Sequence, residues 1–93
     1  MKRFIGKRVK VKASFVCIDR KFATPKALFH NISVDGTYFS SHAWINVSDK
    51  FVTKALVGDV IEGTAMLTEY IGLDGDKVVK KLGFKNLKVR EIR

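Results

Sequence analysis

Residues 27–45 read ALFHNISVDGTYFSSHAWI and carry the strongest fold signal in this 93-residue chain. The pair Asp35-Gly36 separates two runs in which apolar and polar residues alternate. Asp-Gly between alternating runs is typical of a two-residue β-hairpin turn, because both central positions need positive φ. The stretch therefore predicts an antiparallel hairpin whose register is set by the turn.

That register assigns every side chain of the hairpin to one of two faces. It pairs Ile32 with Phe39 and Phe29 with His42, and the mainly apolar face is predicted to be the core. This core face consists of Leu28, His30, Ile32, Val34, Thr37, Phe39, Ser41, Ala43 and Ile45. The opposite face holds Phe29, Tyr38, His42 and Trp44 among serines and asparagines. Aromatic rings among small polar residues indicate a stacking surface, and the alternative for Trp44 is a core position with only its indole edge in solvent.

Alternation extends to the start of the chain and to its end. Residues 8–19 place Val9, Val11, Ala13, Phe15 and Cys17 on one side and Lys10, Lys12 and Ser14 on the other. A second hairpin is predicted to turn at Asp74-Gly75, which sets Leu67 opposite Leu82 and Ala65 opposite Phe84. After Phe84 the apolar phase moves by one residue, which indicates a β-bulge near Lys85-Asn86.

A short helix is predicted between the two hairpins. Ser48 or Asp49 serves as its N-cap, Phe51, Ala55 and Leu56 face inward, and Gly58 ends it. The length allows one domain, residues 1–93. We expect these residues to be buried in its core: Val11, Phe15, Ile32, Phe39, Ile61, Leu67 and Phe84.

The predicted order is a long strand, a hairpin, a short helix or helical turn and a second hairpin. This is the order of an all-β, five-stranded antiparallel OB-like barrel. Residues 58–63, GDVIEG, resemble the start of the fourth strand in many OB-fold domains. The small size, the basic ends and residues 42–46, HAWIN, resemble OB-like proteins encoded by Gram-positive prophages and mobile elements. The resemblance implies binding of single-stranded nucleic acid or oligosaccharide across strands two and three.

The net charge of +9 is concentrated at the two ends of the chain. Residues 1–30 hold nine basic residues and one acid, and residues 77–93 hold seven basic residues and one acid. Such a pattern favours a polyanionic partner, most commonly nucleic acid. The alternative is that the lysines only keep a half-buried sheet soluble and protect its edges.

The predicted binding residues combine this charge with the aromatic face. They are Lys10, Lys12, Arg20, Lys21, Lys26, Phe29, Tyr38, His42, Trp44, Lys81 and Lys85. The turn at residues 73–76, LDGD, is acidic and repels phosphate. We therefore expect Lys10, Lys12, Lys81 and Lys85 to contact the phosphate backbone of the nucleic acid.

Several other classes of protein lack their sequence signals here. No run of ten apolar residues occurs, and no apolar segment follows the basic N-terminus. Cys17 has no cysteine partner with which to form a disulfide. We therefore expect a cytoplasmic protein without a membrane span. Walker loops, nucleophile elbows and zinc-ligand spacings are absent from the sequence, so we expect no enzyme activity, metal or other cofactor. Two functions stay open: a non-enzymatic binder of single-stranded DNA or RNA, and a protein-interaction module that docks a partner on the aromatic face or an open sheet edge.

Overall fold

The computed structural model describes residues 4–21 and 23–93, which form one antiparallel sheet of five strands and a single short helix. The elements are β1 (Arg8–Asp19), β2 (Lys26–Val34), β3 (Thr37–Asn46), α1 (Asp49–Lys54), β4 (Val60–Asp74) and β5 (Lys77–Ile92). The strand order is β3-β2-β1-β4-β5, so β3 and β5 are the two edges. The predicted all-β class and the helix between the third and fourth strands are confirmed.

The two edge strands approach each other without closing the sheet. The rings of Phe39 on β3 and Phe84 on β5 meet edge to face, with their centroids 5.2 Å apart. In the described part of the chain, β3 pairs through backbone hydrogen bonds with β2, and β5 with β4. Side-chain contact rather than a hydrogen-bonded ladder therefore joins the two edges.

The Asp35-Gly36 turn forms as predicted, with φ of 48° and 84° at its two residues. Val34 pairs with Thr37, as the sequence indicates, but Ile32 lies opposite Ser40 rather than Phe39. Phe39 is the extra residue that shifts the register by one. The predicted pairing of Phe29 with His42 is therefore wrong, since Phe29 lies opposite Ala43.

A second irregularity in β2 reverses the predicted faces of its first half. Asn31 has a φ of 52°, and the register between β1 and β2 shifts there, which is the geometry of a β-bulge. As a result Ile32 and Val34 face the core as predicted, while Phe29 and Ala27 also face the core. Leu28 is only half-buried and His30 is exposed, so the prediction that they belong to the core was wrong.

Three phenylalanines form the centre of the core. Phe15 on β1, Phe29 on β2 and Phe51 on α1 lie with ring centroids 5.3 to 6.1 Å apart. The helix is held in place by its N-cap, because the backbone N–H of Phe51 donates to Ser48 Oγ at 3.1 Å. Ala55 is buried as predicted, whereas Leu56 is 72% exposed and does not join the core. The remaining predicted core residues are buried, except Phe39, which is half-buried.

The second hairpin differs from the prediction in its turn and keeps its faces. The turn residues are Gly75 and Asp76, and Asp74 pairs with Lys77. Leu67 therefore lies opposite Phe84 instead of Leu82. A slip of two residues leaves each side chain on its predicted face, because the side-chain period of a strand is two.

The bulge predicted near Lys85-Asn86 is present. Asn86 has a φ of 54°, and the register between β4 and β5 shifts between the Met66–Lys85 and Thr64–Lys88 pairs. Near it, β5 passes so close to β4 that a Cβ on Gly63 would collide with the backbone carbonyl of Lys88. A glycine at position 63 therefore permits the close approach of the two strands.

We expect Gly63→Ala to lower the free energy of unfolding by about 1 to 3 kcal/mol, because the added methyl group meets backbone that has no room to move. Gly72→Ala is the matched control in the same strand. A Cβ there meets the Lys81 side chain at 2.9 Å, and that flexible chain moves aside. Denaturant unfolding of both variants measures the difference, and equal losses would contradict the close-approach explanation.

We expect Phe29→Ala to lower the free energy of unfolding by about 3 to 5 kcal/mol, since its ring is 1% exposed and touches two other core rings. Tyr38→Ala on the next strand serves as the control, because Tyr38 is 62% exposed. Its loss should stay within about 0.5 kcal/mol. A small loss for Phe29→Ala in the same denaturant titration would contradict the burial of Phe29 and support the prediction from sequence that it faces outward.

Candidate functional site

A groove of about 440 Å³ lies between the edge strand β3 and the hairpin of β4 and β5. Its floor is the contact between Phe39 and Phe84, where the two edges of the sheet meet. The residues that line it are Lys26, Phe39, Ser40, His42, Ala43, Trp44, Asn46, Thr68, Tyr70, Leu82, Gly83 and Phe84. It therefore brings together three of the predicted binding residues, Lys26, His42 and Trp44.

Two half-exposed aromatic rings line the groove from different strands. Trp44 on β3 is 47% exposed, so it points outward as the hairpin pattern predicts. Tyr70 on β4 is 50% exposed and was missed by the sequence prediction. Alternation along β4 predicts this exposed position, because Tyr70 lies on the side of the strand opposite the buried Leu67.

Tyr70 lies over a glycine of the neighbouring strand. A Cβ on Gly83 would stand 3.0 Å from Cε1 of Tyr70 and 3.3 Å from its Cδ1. The ring therefore occupies the space that a side chain at position 83 would need. Gly83 thus fixes where the tyrosine ring lies along the groove.

His42 lies in the groove in a network of small polar contacts. Its Nδ1 lies 3.1 Å from Ser41 Oγ, and Ser40 Oγ is 2.9 Å from the carbonyl oxygen of His42. His30 lies directly opposite on β2. The network gives the groove hydrogen-bonding groups beside its aromatic rings.

One predicted lysine lines the groove, and two further predicted cations lie in the loop before its strand. The lysine is Lys26, at the start of β2, and the exposed Arg20 and Lys21 belong to the loop that precedes this strand. The backbone N–H of Lys21 donates to Asp19 Oδ1 at 2.9 Å, which orders the start of that loop. Of these three predicted residues, Lys26 therefore lines the groove, whereas Arg20 and Lys21 lie in the loop before β2.

The two predicted lysines of β5 flank the residues 82–84 that line the groove. Lys81 pairs with Tyr70 across the strands and is half-buried. Its Nζ donates to the carbonyl oxygen of Leu73 at 3.0 Å, so this ammonium group already has a backbone partner. Lys85 is exposed and lies opposite Met66, outside the lining of the groove.

Lys10, Lys12 and Tyr38 belong to a different patch. Lys10 and Lys12 line a shallow depression on the outer face of β1 together with Glu62. The Nζ of Lys12 lies 3.7 Å from Glu62 Oε1. Tyr38 joins this side through Ser33, which pairs with both Tyr38 and Lys12. The structure therefore places these three predicted residues away from the groove.

Phe29 must be removed from the predicted site. The bulge at Asn31 and the shifted register turn its ring into the core, where it contacts Phe15 and Phe51. A ring that is 1% exposed offers no surface to a ligand. Its place as the second aromatic group is taken by Tyr70.

Within residues 4–21 and 23–93, no three His, Cys, Asp or Glu side chains are grouped closely enough to hold a metal ion. The helix found there is too short to cross a membrane.

Comparison with known proteins adds no relative. No protein-family model, no curated protein and no solved structure matches this chain.

Proposed function

We propose that this chain is a non-enzymatic module that binds single-stranded DNA or RNA in the groove between β3 and the β4–β5 hairpin. The observation that carries the proposal is the pair of half-exposed rings, Trp44 and Tyr70, in a groove that Lys26 also lines. Arg20 and Lys21 precede Lys26 in the β1–β2 loop. Aromatic rings stack on bases of any sequence, and cationic groups contact the backbone phosphates. The groove supplies both kinds of contact.

The topology supports an OB-like barrel as the scaffold of this proposal. The long β1 pairs with both β2 and β4, the helix lies between β3 and β4, and the edges β3 and β5 contact each other. In OB-folds, oligonucleotides bind across strands two and three between the β1–β2 and β4–β5 loops. Here the β1–β2 loop carries Arg20 and Lys21 and leads into Lys26, and Tyr70 lies in the part of β4 that leads to the β4–β5 turn.

A protein-interaction module is the second candidate, and it is favoured by the far end of the β4–β5 hairpin. Ile71, Leu73 and Val78 lie on the same face of the strands as the core residues Leu67 and Phe84. They lie beyond the core and are each more than 60% exposed. Clustered exposed apolar side chains of this kind are typical of protein contacts.

We expect single-stranded oligonucleotides to bind with an affinity that falls log-linearly as salt rises, by about 0.7 log units per log unit of salt for each phosphate contact. Trp44 is the only tryptophan in the chain, so quenching of its fluorescence reports stacking at the groove directly. Trp44→Ala and Tyr70→Ala should each weaken binding by about 1 to 3 kcal/mol, measured by anisotropy of a labelled oligonucleotide. Tyr38→Ala removes an exposed ring outside the groove and should have a smaller effect.

Absence of binding at low salt, with folded protein, would leave the protein-interaction module as the better explanation. Equal losses for Tyr38→Ala and Trp44→Ala would move the site from the groove to the outer face of the hairpin. A salt-independent affinity would exclude phosphate contacts as its main source.

We expect Gly83→Ala to weaken oligonucleotide binding by less than Tyr70→Ala does, because the new methyl group shifts the Tyr70 ring by only a few tenths of an ångström. In the double variant with Tyr70→Ala, the glycine substitution should add little further loss. The double-mutant cycle is measured by the same anisotropy titration. Independent, additive losses would show that Gly83 acts on binding without the ring.

A further inference from the structure

A second cleft lies at the opposite end of β5 from the hairpin tip. It has a volume of about 480 Å³ and separates α1 from the last third of β5. Lys50 and Lys54 line it from the helix, and Lys88 and Arg90 line it from the strand. None of these four residues belongs to the aromatic groove.

Most of this positive charge is uncompensated. In the described ranges, no acid lies within ion-pair distance of Lys50, Lys54 or Lys88. Arg90 lies 3.9 Å from Glu62. Glu91 is the one acid in the lining, and it accepts a hydrogen bond from Arg93 at 2.8 Å, which holds the pKa of its carboxyl below the usual value. The Glu91 carboxylate is therefore already paired with Arg93.

The cleft and the groove follow the same edge of the sheet. Along β5, Phe84 lines the groove and Leu87 lines the cleft three residues later. On the facing wall, Asn46 lines the groove and the next residue, Val47, lines the cleft. The two depressions therefore succeed each other along β5, with β3 and then α1 as the opposite wall.

We propose that the cleft continues the nucleic-acid path of the groove and holds the sugar-phosphate backbone of the same single strand. The inference rests on the proposed function of the groove. Phe51 is the one aromatic residue in the cleft lining, and its ring is buried in the core. The cleft therefore offers cations for phosphates and no platform for bases, whereas the groove offers the platform.

The dimensions set an expected length for the bound strand. From Leu82 in the groove to Ile92 in the cleft, β5 spans roughly 33 Å at about 3.3 Å per residue. A short oligonucleotide fills the groove alone, and a longer one reaches both depressions. Known binding sites on OB-folds take about 4 to 16 nucleotides, and oligonucleotides of both kinds fall within these lengths.

The test compares thymidine oligomers of four and twelve nucleotides on the full chain and on two double variants. Lys54→Gln with Lys88→Gln removes two charges from the cleft. Lys7→Gln with Lys77→Gln removes the same charge from two exposed lysines that line neither depression. All four substitutions are at exposed positions, and circular dichroism checks that both variants are folded.

For the twelve-mer, the cleft variant should lose about 1.4 from the magnitude of the salt slope, which corresponds to two phosphate contacts. It should bind the four-mer within about twofold of the control variant, and Trp44 quenching at saturation should be unchanged. The control variant should keep the slope of the unmodified chain.

Three results would overturn the inference, and they are distinguishable. If the twelve-mer binds and quenches Trp44 but the cleft variant keeps the full slope, the path ends in the groove and the proposed function still stands. If neither oligomer binds the folded chain, the proposed function fails together with the inference. A labelled peptide of alternating Glu and Val forms the third arm: binding that needs Lys54 and Lys88, without any effect of these residues on the oligomers, would assign the cleft to a peptide instead.

Discussion

The contact of Phe29 with Phe15 and Phe51 is the interaction on which the rest of the structure depends. It joins β1, β2 and the helix in a single apolar cluster. Such aromatic contacts contribute about 0.5 to 1.5 kcal/mol each beyond the area that they bury. Because α1 is only six residues long, packing rather than helix propensity keeps it formed. The cluster therefore also positions one wall of the basic cleft.

The same cluster explains where sequence reasoning failed. The turn Asp35-Gly36, the alternation of β1 and β4 and the bulge at Asn86 all leave a local signal, and each was predicted. The bulge at Asn31 leaves an ambiguous signal, since Ile32 and Val34 are in phase with Leu28 but out of phase with Ala27 and Phe29. Only the tertiary demand for a ring beside Phe15 selects the bulged form. Within β2, the predicted faces were therefore wrong only in the first half of the strand, and the bulge places Phe29 in the core instead of on the surface.

The candidate site could be predicted in part for a related reason. Trp44 and His42 are exposed as alternation along β3 predicts, although Phe39 shifts the register between the turn and these residues. Tyr70 lies on a different hairpin, and the proximity of the two hairpins depends on how the whole sheet curls. The grouping of lysines also needs tertiary structure. Lys10 and Lys12 share their face with Glu62, whereas Lys26 reaches the groove.

The contact between Phe39 and Phe84 determines how easily β3 and β5 move apart and widen the groove. A hydrogen-bonded ladder between β3 and β5 would hold their separation at about 4.8 Å. An aromatic contact tolerates centroid separations from about 4.5 to 7 Å, so its energy changes gradually as the strands separate. Both strands keep their ladders with β2 and β4 during such a movement. The separation of β3 and β5 therefore changes at a small cost in energy, whereas the separations of the hydrogen-bonded strands stay fixed.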